Sequence, residues 1–270
     1  MRQERLYRTE GLVLRELDYA ETDRILTLLT PEGKLSALVH GIRRATSRKV
    51  GHLGLFYRAQ LLVARGRNLD IITQAESLEE FEGLRGDLMR FTYACYIGEL
   101  VERLSREEEG QALYTLTVEA LRRIAEEADP RLWTRYFELR LLSYTGYQPE
   151  LFRCLSCQEP IRPEVNVFVA SEGGLFCPRC GEAQRHGRRV SVNAQKVLRY
   201  LATREPEDVQ GLRISEGTHA EVEALLYEYL EYTLERELKS TAFLRQLRSE
   251  LAMYEAGRPD AMSGEGKPQV

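Results

Sequence analysis

The sequence predicts an α+β chain: a small five-stranded β-barrel, then an α-helical bundle into which a cysteine-bearing hairpin is inserted. Three observations carry that reading. Short apolar runs separated by turn residues fill the first eighty positions. From Phe81 onward the hydrophobic period lengthens to that of helices. Two Cys-x-x-Cys motifs then interrupt the helical part. The length of 270 residues suits about two domains of ~100–200 residues each.

Strand cores are expected at Leu12–Leu14, Ile25–Thr30, Leu35–His40, Leu55–Ala64 and Leu69–Thr73. Pro31-Glu32-Gly33 forms a hairpin turn between the second and third. Five short strands in about 75 residues suit an OB-fold, a common oligonucleotide binder, and also an SH3-like barrel. Helical rows follow at Leu88, Phe91, Cys95 and Leu100, and at Leu113, Leu116, Ala120 and Ile124. A third helix starts at Asp129-Pro130 and stops near Gly146. Ala194 to Leu201 forms a short helix. Thr218 and Glu221 have capping-box spacing ahead of a row running Val222, Leu226, Leu230, Leu234 and Leu238. Expected units are 1–80 (barrel), 81–150 with 186–255 (helical bundle), 151–185 (insert) and 256–270 (a disordered tail of three Gly and two Pro).

Charge is distributed unevenly. The chain carries 38 basic and 42 acidic residues, yet Lys34 to Leu69 contains no acidic residue and eight basic ones. A one-signed stretch in an acidic chain is a candidate polyanion contact, with nucleic acid first. The candidates are Lys34, Arg43, Arg44, Arg48 and Lys49, with a second basic turn at Arg65 and Arg67. Thr46 and Ser47 can donate to phosphate beside them, and Phe56, Tyr57 or His52 could stack bases, although Phe56 and Tyr57 suit a barrel core equally. The competing reading is a solvated polar loop. Arg185-His186-Gly187-Arg188-Arg189 is a smaller basic cluster, either an extension of the same path or a plain turn.

Cys154, Cys157, Cys177 and Cys180 form C-x2-C…C-x2-C with 19 residues between the pairs. Such spacing lets two tight knuckles supply four thiolates to one tetrahedral ion, and zinc in a structural ribbon is the reading it favours. A redox pair or an iron–sulfur cluster remains open. Four thiolates leave no open position for a catalytic zinc, and no His-x-Glu precedes the cysteines as a nucleobase deaminase requires. Cys95, among apolar neighbours, reads as a core thiol. The sequence has no phosphate-binding G-x-x-x-x-G-K-[ST] and no G-x-S-x-G elbow, so an enzyme is not expected. No run approaches the ~20 apolar residues of a membrane span, and a cytoplasmic, nucleoid-associated protein is expected.

Several motifs together carry a family resemblance. They are Thr9-Glu10-Gly11-Leu12-Val13-Leu14, Glu21-Thr22-Asp23-Arg24-Ile25-Leu26, Thr30-Pro31-Glu32-Gly33-Lys34 and His40-Gly41-Ile42-Arg43-Arg44. Tyr144 to Pro149 and Ser171-Glu172-Gly173-Gly174 add to them. On these the chain resembles the bacterial recombination mediator family RecO, over nearly its whole length. The resemblance implies an N-terminal OB-fold, a helical domain and a zinc-finger insert. It also implies binding of single- and double-stranded DNA, strand annealing, and help in loading RecA onto strands coated by single-stranded DNA-binding protein. The implied partners are RecR and the tail of the single-stranded DNA-binding protein. A zinc-ribbon protein acting on RNA is the alternative.

Overall fold

A computed structural model describes residues 5–45, 47, 49–104, 110–234 and 238–256. Five strands, β1 (Leu6–Tyr19), β2 (Asp23–Thr30), β3 (Gly33–Val39), β4 (Arg58–Ala64) and β5 (Asp70–Glu79), close into a barrel in the order β1-β2-β3-β5-β4. β1 pairs with β4 to complete the ring, and β3–β5 is the parallel seam. This order and seam make the barrel OB-like rather than SH3-like. Alternation does the sorting: along β4, Ala59, Leu61 and Val63 point inward beside Val13, Leu26, Leu28 and Ile72. Gly11 lets β1 bend across them, since a Cβ there would sit 2.8 Å from Leu61 Cδ1 and 2.9 Å from Leu28 Cδ2.

Two strands differ from their expected extents. β1 is far longer than Leu12–Leu14, because it serves both β2 and β4, and its outer half from Arg15 onward is polar and solvent-facing. β4 begins at Arg58 rather than Leu55. Phe56 adopts a left-handed conformation (φ 62°) that turns its ring out of the barrel and onto the helical body. There a Cβ on Gly98 would lie 3.1 Å from the Phe56 ring, so a glycine provides the notch. Burying such a ring is worth roughly 2–3 kcal/mol.

The body follows as α1 (Glu82–Arg85), α2 (Leu88–Leu104), α3 (Gln111–Glu126) and α4 (Pro130–Tyr144). α4 starts as its sequence dictates: Asp129 accepts from the N–H groups of Arg131 and Leu132, and Pro130 takes the first turn. It ends before Gly146 (φ 81°). Then come β6 (Asn166–Val169), β7 (Gly174–Phe176), α5 (Pro178–Gly181) and β8 (Arg188–Val190), with sheet order β7-β6-β8. β8 lies beyond residue 185, so the insert's sheet reaches past the expected boundary. α6 (Val192–Thr203), α7 (Pro206–Val209), α8 (Glu216–Leu234) and α9 (Lys239–Ala256) complete the body. The expected tail, save Ala256, lies outside the described residues.

The start of α8 departs from the capping-box expectation. The Ser215 hydroxyl meets the Thr218 N–H and Oγ1, while Thr218 is itself inside the helix and buried. Glu221 reaches away to Ser191, accepting from its N–H and its hydroxyl at 2.6 Å each. Ser191 is the N-cap of α6, so this carboxylate fixes one helix start from another helix. Of the predicted leucine row, Leu238 lies beyond the end of α8 and is buried.

One apolar core runs from the barrel's Leu12, Leu14 and Leu29 through Phe56 into the helices. Polar groups clasp the same junction: Arg58 bonds Glu10 at 2.7 Å and Tyr114 Oη at 3.1 Å, and Arg122 on α3 bonds Glu79 at 2.9 Å. Deep in the body, Arg135 and Glu138 pair at 3.0 Å on α4 with almost no exposure, and the Tyr96 hydroxyl donates to Glu138.

Candidate nucleic-acid interface and four-cysteine centre

The barrel register gathers three connections at one rim. β1 ends where β2 begins, β2 starts opposite the end of β3 (Arg24 beside Val39), and the end of β3 lies beside the start of β5 (Ala37 beside Asp70). The β1–β2 turn, the β3–β4 loop and the β4–β5 turn therefore meet. Hydrogen bonds lock them. Arg43 N–H donates to the Thr22 carbonyl at 3.0 Å, and Asp23 accepts from the Gly41 N–H at 2.8 Å and faces His40 Nδ1 at 2.7 Å. The Gly41 N–H first, and His40 second, hold the Asp23 carboxyl below the usual carboxylate range. Gly41 itself takes φ 65°. At the third turn, Asp70 receives the Tyr7 hydroxyl at 2.6 Å and the Gly66 N–H at 3.1 Å. A Cβ on Gly66 would lie 1.8 Å from the Leu69 carbonyl oxygen, so this tight turn requires glycine.

The predicted cations divide on this frame. Arg44 and Arg67 are exposed at the rim and meet no carboxylate among the described residues. Arg65 is exposed, with its guanidinium 4.9 Å over the Tyr7 ring. Arg43 is exposed beside Asp18 at 3.4 Å. Lys49 is half-buried, donating to the Ile72 carbonyl at 3.2 Å and the His40 carbonyl at 3.5 Å, and so ties the long loop to β5. Lys34 sits at the opposite end of β3, where its Nζ donates to the Glu102 carbonyl of α2 at 3.0 Å. Arg48 and Thr46 lie outside the described residues; Ser47 is half-buried.

None of the three expected stacking rings reaches the rim. Phe56 is buried, the Tyr57 ring lies under Arg85 at 4.0 Å, and His52 Nδ1 faces the Ser77 hydroxyl at 3.3 Å. Tyr19, not singled out from sequence, is 52% exposed at the β1–β2 turn beside Asp18 and offers the kind of ring face on which bases stack. The available signal was an aromatic residue in an otherwise polar hairpin end.

The four cysteines converge as predicted: their sulfur atoms all lie within 4.8 Å of one another. Cys157 and Cys177 Sγ are 3.9 Å apart, close to the ~3.8 Å edge of a tetrahedron with 2.3 Å metal–sulfur bonds. The first knuckle is closed by Cys154 N–H to the Glu159 carbonyl and by Gln158 at φ 60°. The second is the start of α5, where Gly181 packs on Val167 so closely that a Cβ would lie 2.6 Å from Val167 Cγ2. Burial opposes ionisation of Cys154, but the N–H groups of Cys157, Cys177 and Ser156 aim at its sulfur and bring the thiol down to about 6. Cys180 moves upward despite the Ser156 hydrogen bond, because the other thiols compete for the same protons. Four thiols this close ionise together only around a cation, so the donor set fits a metal ion. Cys95 is different: burial pushes its thiol up to about 11, as suits a core residue. Among the described residues no helix is long and apolar enough to cross a membrane.

Fold and site together define a class: an OB-like barrel joined to a helical body that carries a four-cysteine centre able to hold a metal ion. Comparison with known proteins narrows it. The family model described as Recombination protein O N terminal matches residues 1–81, and Recombination protein O C terminal matches residues 85–242. DNA repair protein RecO of Roseiflexus sp. is 41% identical over 250 residues, spanning 92% of this chain and 88% of that protein. The protein of that name from Pelotomaculum thermopropionicum is 37% identical over 242 residues (89% and 94%), and one from Dehalococcoides mccartyi 33% over 244 (90% and 96%). The chain belongs to the RecO family of recombination and DNA repair proteins.

Proposed function

We propose that this chain is a non-catalytic recombination mediator that binds single- and double-stranded DNA on the open barrel rim and anneals complementary strands. It would assist loading of RecA onto strands covered by single-stranded DNA-binding protein, with RecR and that protein's tail as partners, in the cytoplasm. The observation that carries this reading is the rim itself. Arg44, Arg65 and Arg67 project from two loops brought together by the β3–β5 seam, and no carboxylate neutralises them among the described residues. Cations so placed engage phosphates without regard to sequence. Lys49, held by backbone carbonyls, supports the rim's shape, while Lys34 at the far end of β3 adds only long-range positive potential. The four cysteines would hold a structural zinc that clamps the insert onto the body. Residues 1–80 serve as the DNA-binding unit, 81–150 with 186–255 as the body, and 151–185 as the core of the insert.

The test is an annealing assay with complementary strands coated by single-stranded DNA-binding protein, with and without RecR, alongside competition of the bound strand by RNA. Annealing that depends on this chain, with DNA preferred, supports the reading. Absence of annealing, or preference for RNA, would replace it with an RNA-binding role.

A further inference from the structure

Many arginines of the helical body are matched: Arg90 with Asp87, Arg103 with Glu99, Arg122 with Glu79, Arg131 with Glu216 and Arg140 with Glu205. A run from the end of the cysteine insert through β8 and α6 breaks that habit. From Gly173 to Arg204 the sequence has seven basic residues and one acidic residue, Glu182. Among the described residues only Arg188 of these seven reaches a carboxylate, Glu228 at 2.7 Å. Arg179, Arg185 and Arg189 are exposed and have no ion-pair partner among the described residues.

These three arginines share a face, and Val167 at its centre shows why. Arg189 is its register partner across β6–β8. Gly181 of the second knuckle, two positions from Arg179, packs on the Val167 side chain, and so does Gly187, two positions from Arg185. Paired residues of neighbouring strands point to the same side, so Arg189 stands on the outer face, opposite the side where Phe168 and Leu175 enter the core. A divalent ion on four thiolates would leave two negative charges. Arg179, which shares a cleft of about 650 Å³ with Cys157, Cys177, Arg162, Glu159 and Glu164, is placed to offset part of that charge. Arg185 and Arg189 have no such duty, and both are exposed, as are the neighbouring His186 and Glu182.

We infer that the outer face of this sheet, centred on Arg185 and Arg189, is a second polyanion-binding surface that holds a single nucleic-acid strand while the barrel rim holds another. This rests on the proposed strand binding at the rim. Two separate cationic surfaces on one chain give two strands a common scaffold, and pairing then proceeds at the effective concentration set by that scaffold. A strand suits the face because exposed arginines without carboxylate partners among the described residues can each meet a phosphate without regard to sequence.

The experiment uses the full chain, metal-loaded, with two non-complementary single strands carrying different fluorophores. Wild type should take up both, read as energy transfer and as two strands per chain. Arg185→Glu with Arg189→Glu should reduce uptake to one strand, leave first-strand affinity within about threefold, and leave metal content unchanged. The neutral pair Arg185→Gln with Arg189→Gln should lower the salt dependence of second-strand binding by about 1.4 in slope, for two phosphate contacts at ~0.7 each. Wild type that binds one strand only would overturn this inference and leave the rim reading standing, whereas wild type that binds none would overturn the rim reading itself. Uptake of poly-glutamate at this face, with no second strand, would overturn it in favour of an acidic protein partner.

Discussion

Lys34 Nζ donates to the main-chain carbonyl of Glu102 at 3.0 Å, joining the β2–β3 hairpin of the barrel to the last turn of α2. The bond satisfies a carbonyl at a helix C-terminus, where cations are favoured. Lys34→Ala is therefore expected to lower stability by about 1–2 kcal/mol in denaturant unfolding. Strand affinity should fall less than for any rim arginine. A loss of binding equal to that of a rim variant, with stability unchanged, would make Lys34 a phosphate ligand instead.

Arg44 and Arg67 carry the opposite expectation. Both are exposed and unpaired among the described residues, so changing both to Glu should leave the unfolding midpoint within about 0.5 kcal/mol of wild type. Single-strand affinity, measured by fluorescence titration, should fall at least tenfold. Its salt dependence should flatten by about 1.4 in slope for two lost phosphate contacts. Unchanged affinity would remove the rim from the DNA path.

At the four-cysteine centre, elemental analysis should find one zinc per chain. Cys177→Ser takes one thiol out of the set while keeping a residue suited to the N-cap of α5, and it should release the metal and loosen β7-β6-β8. Hydrogen exchange should then rise at Phe168 and Leu175 while the barrel interior at Leu28 stays protected. Folded protein with four free thiols and no metal would contradict the assignment.

Glu138 makes stability depend on pH. Burial pushes its carboxyl up to about 7, against the pull of Arg135 and of the Tyr96 hydroxyl. A carboxyl held above its unfolded value favours the folded state while protonated. That contribution is complete below the unfolded value near 4.5 and is lost as pH rises towards 7. Wild type should thus lose roughly 1–3 kcal/mol between pH 5 and pH 7.5, and Glu138→Gln should flatten the profile over that window. Arg135→Met, which leaves the carboxyl without its counter-charge, should cost about 3–5 kcal/mol near neutral pH.

Local patterns were legible from sequence where the physics is local. Pro31-Glu32-Gly33 marked the β2–β3 turn, Asp129-Pro130 marked the start of α4, and the C-x2-C spacing picked out the four cysteines that converge, because each depends on residues a few positions apart. Charge also showed the basic stretch. What sequence could not show was where each cation's partner lies. Arg58 is held by Glu10 and by Tyr114 of α3, and Lys34 by Glu102, so the stretch divides into clasps and free groups only once the chain has folded. The same limit explains Glu221, whose spacing suited a cap on α8 but which a tertiary contact assigns to Ser191. Phe56 left its strand for a notch at Gly98, and no local preference announces that contact.

The closure of the barrel also sets an order of events in time. Tyr7 reaches Asp70 across 63 positions, and Glu10 waits for Tyr114 across 104. The β1–β2–β3 meander can form within microseconds of leaving a ribosome, but its open edges stay unpaired until β4 and β5 have been synthesised. Translation adds ~5–20 residues per second, so this interval lasts seconds. Unpaired edges are open to aggregation in that window, pairing of β4 and β5 ends it, and α3 then brings Tyr114 to Glu10.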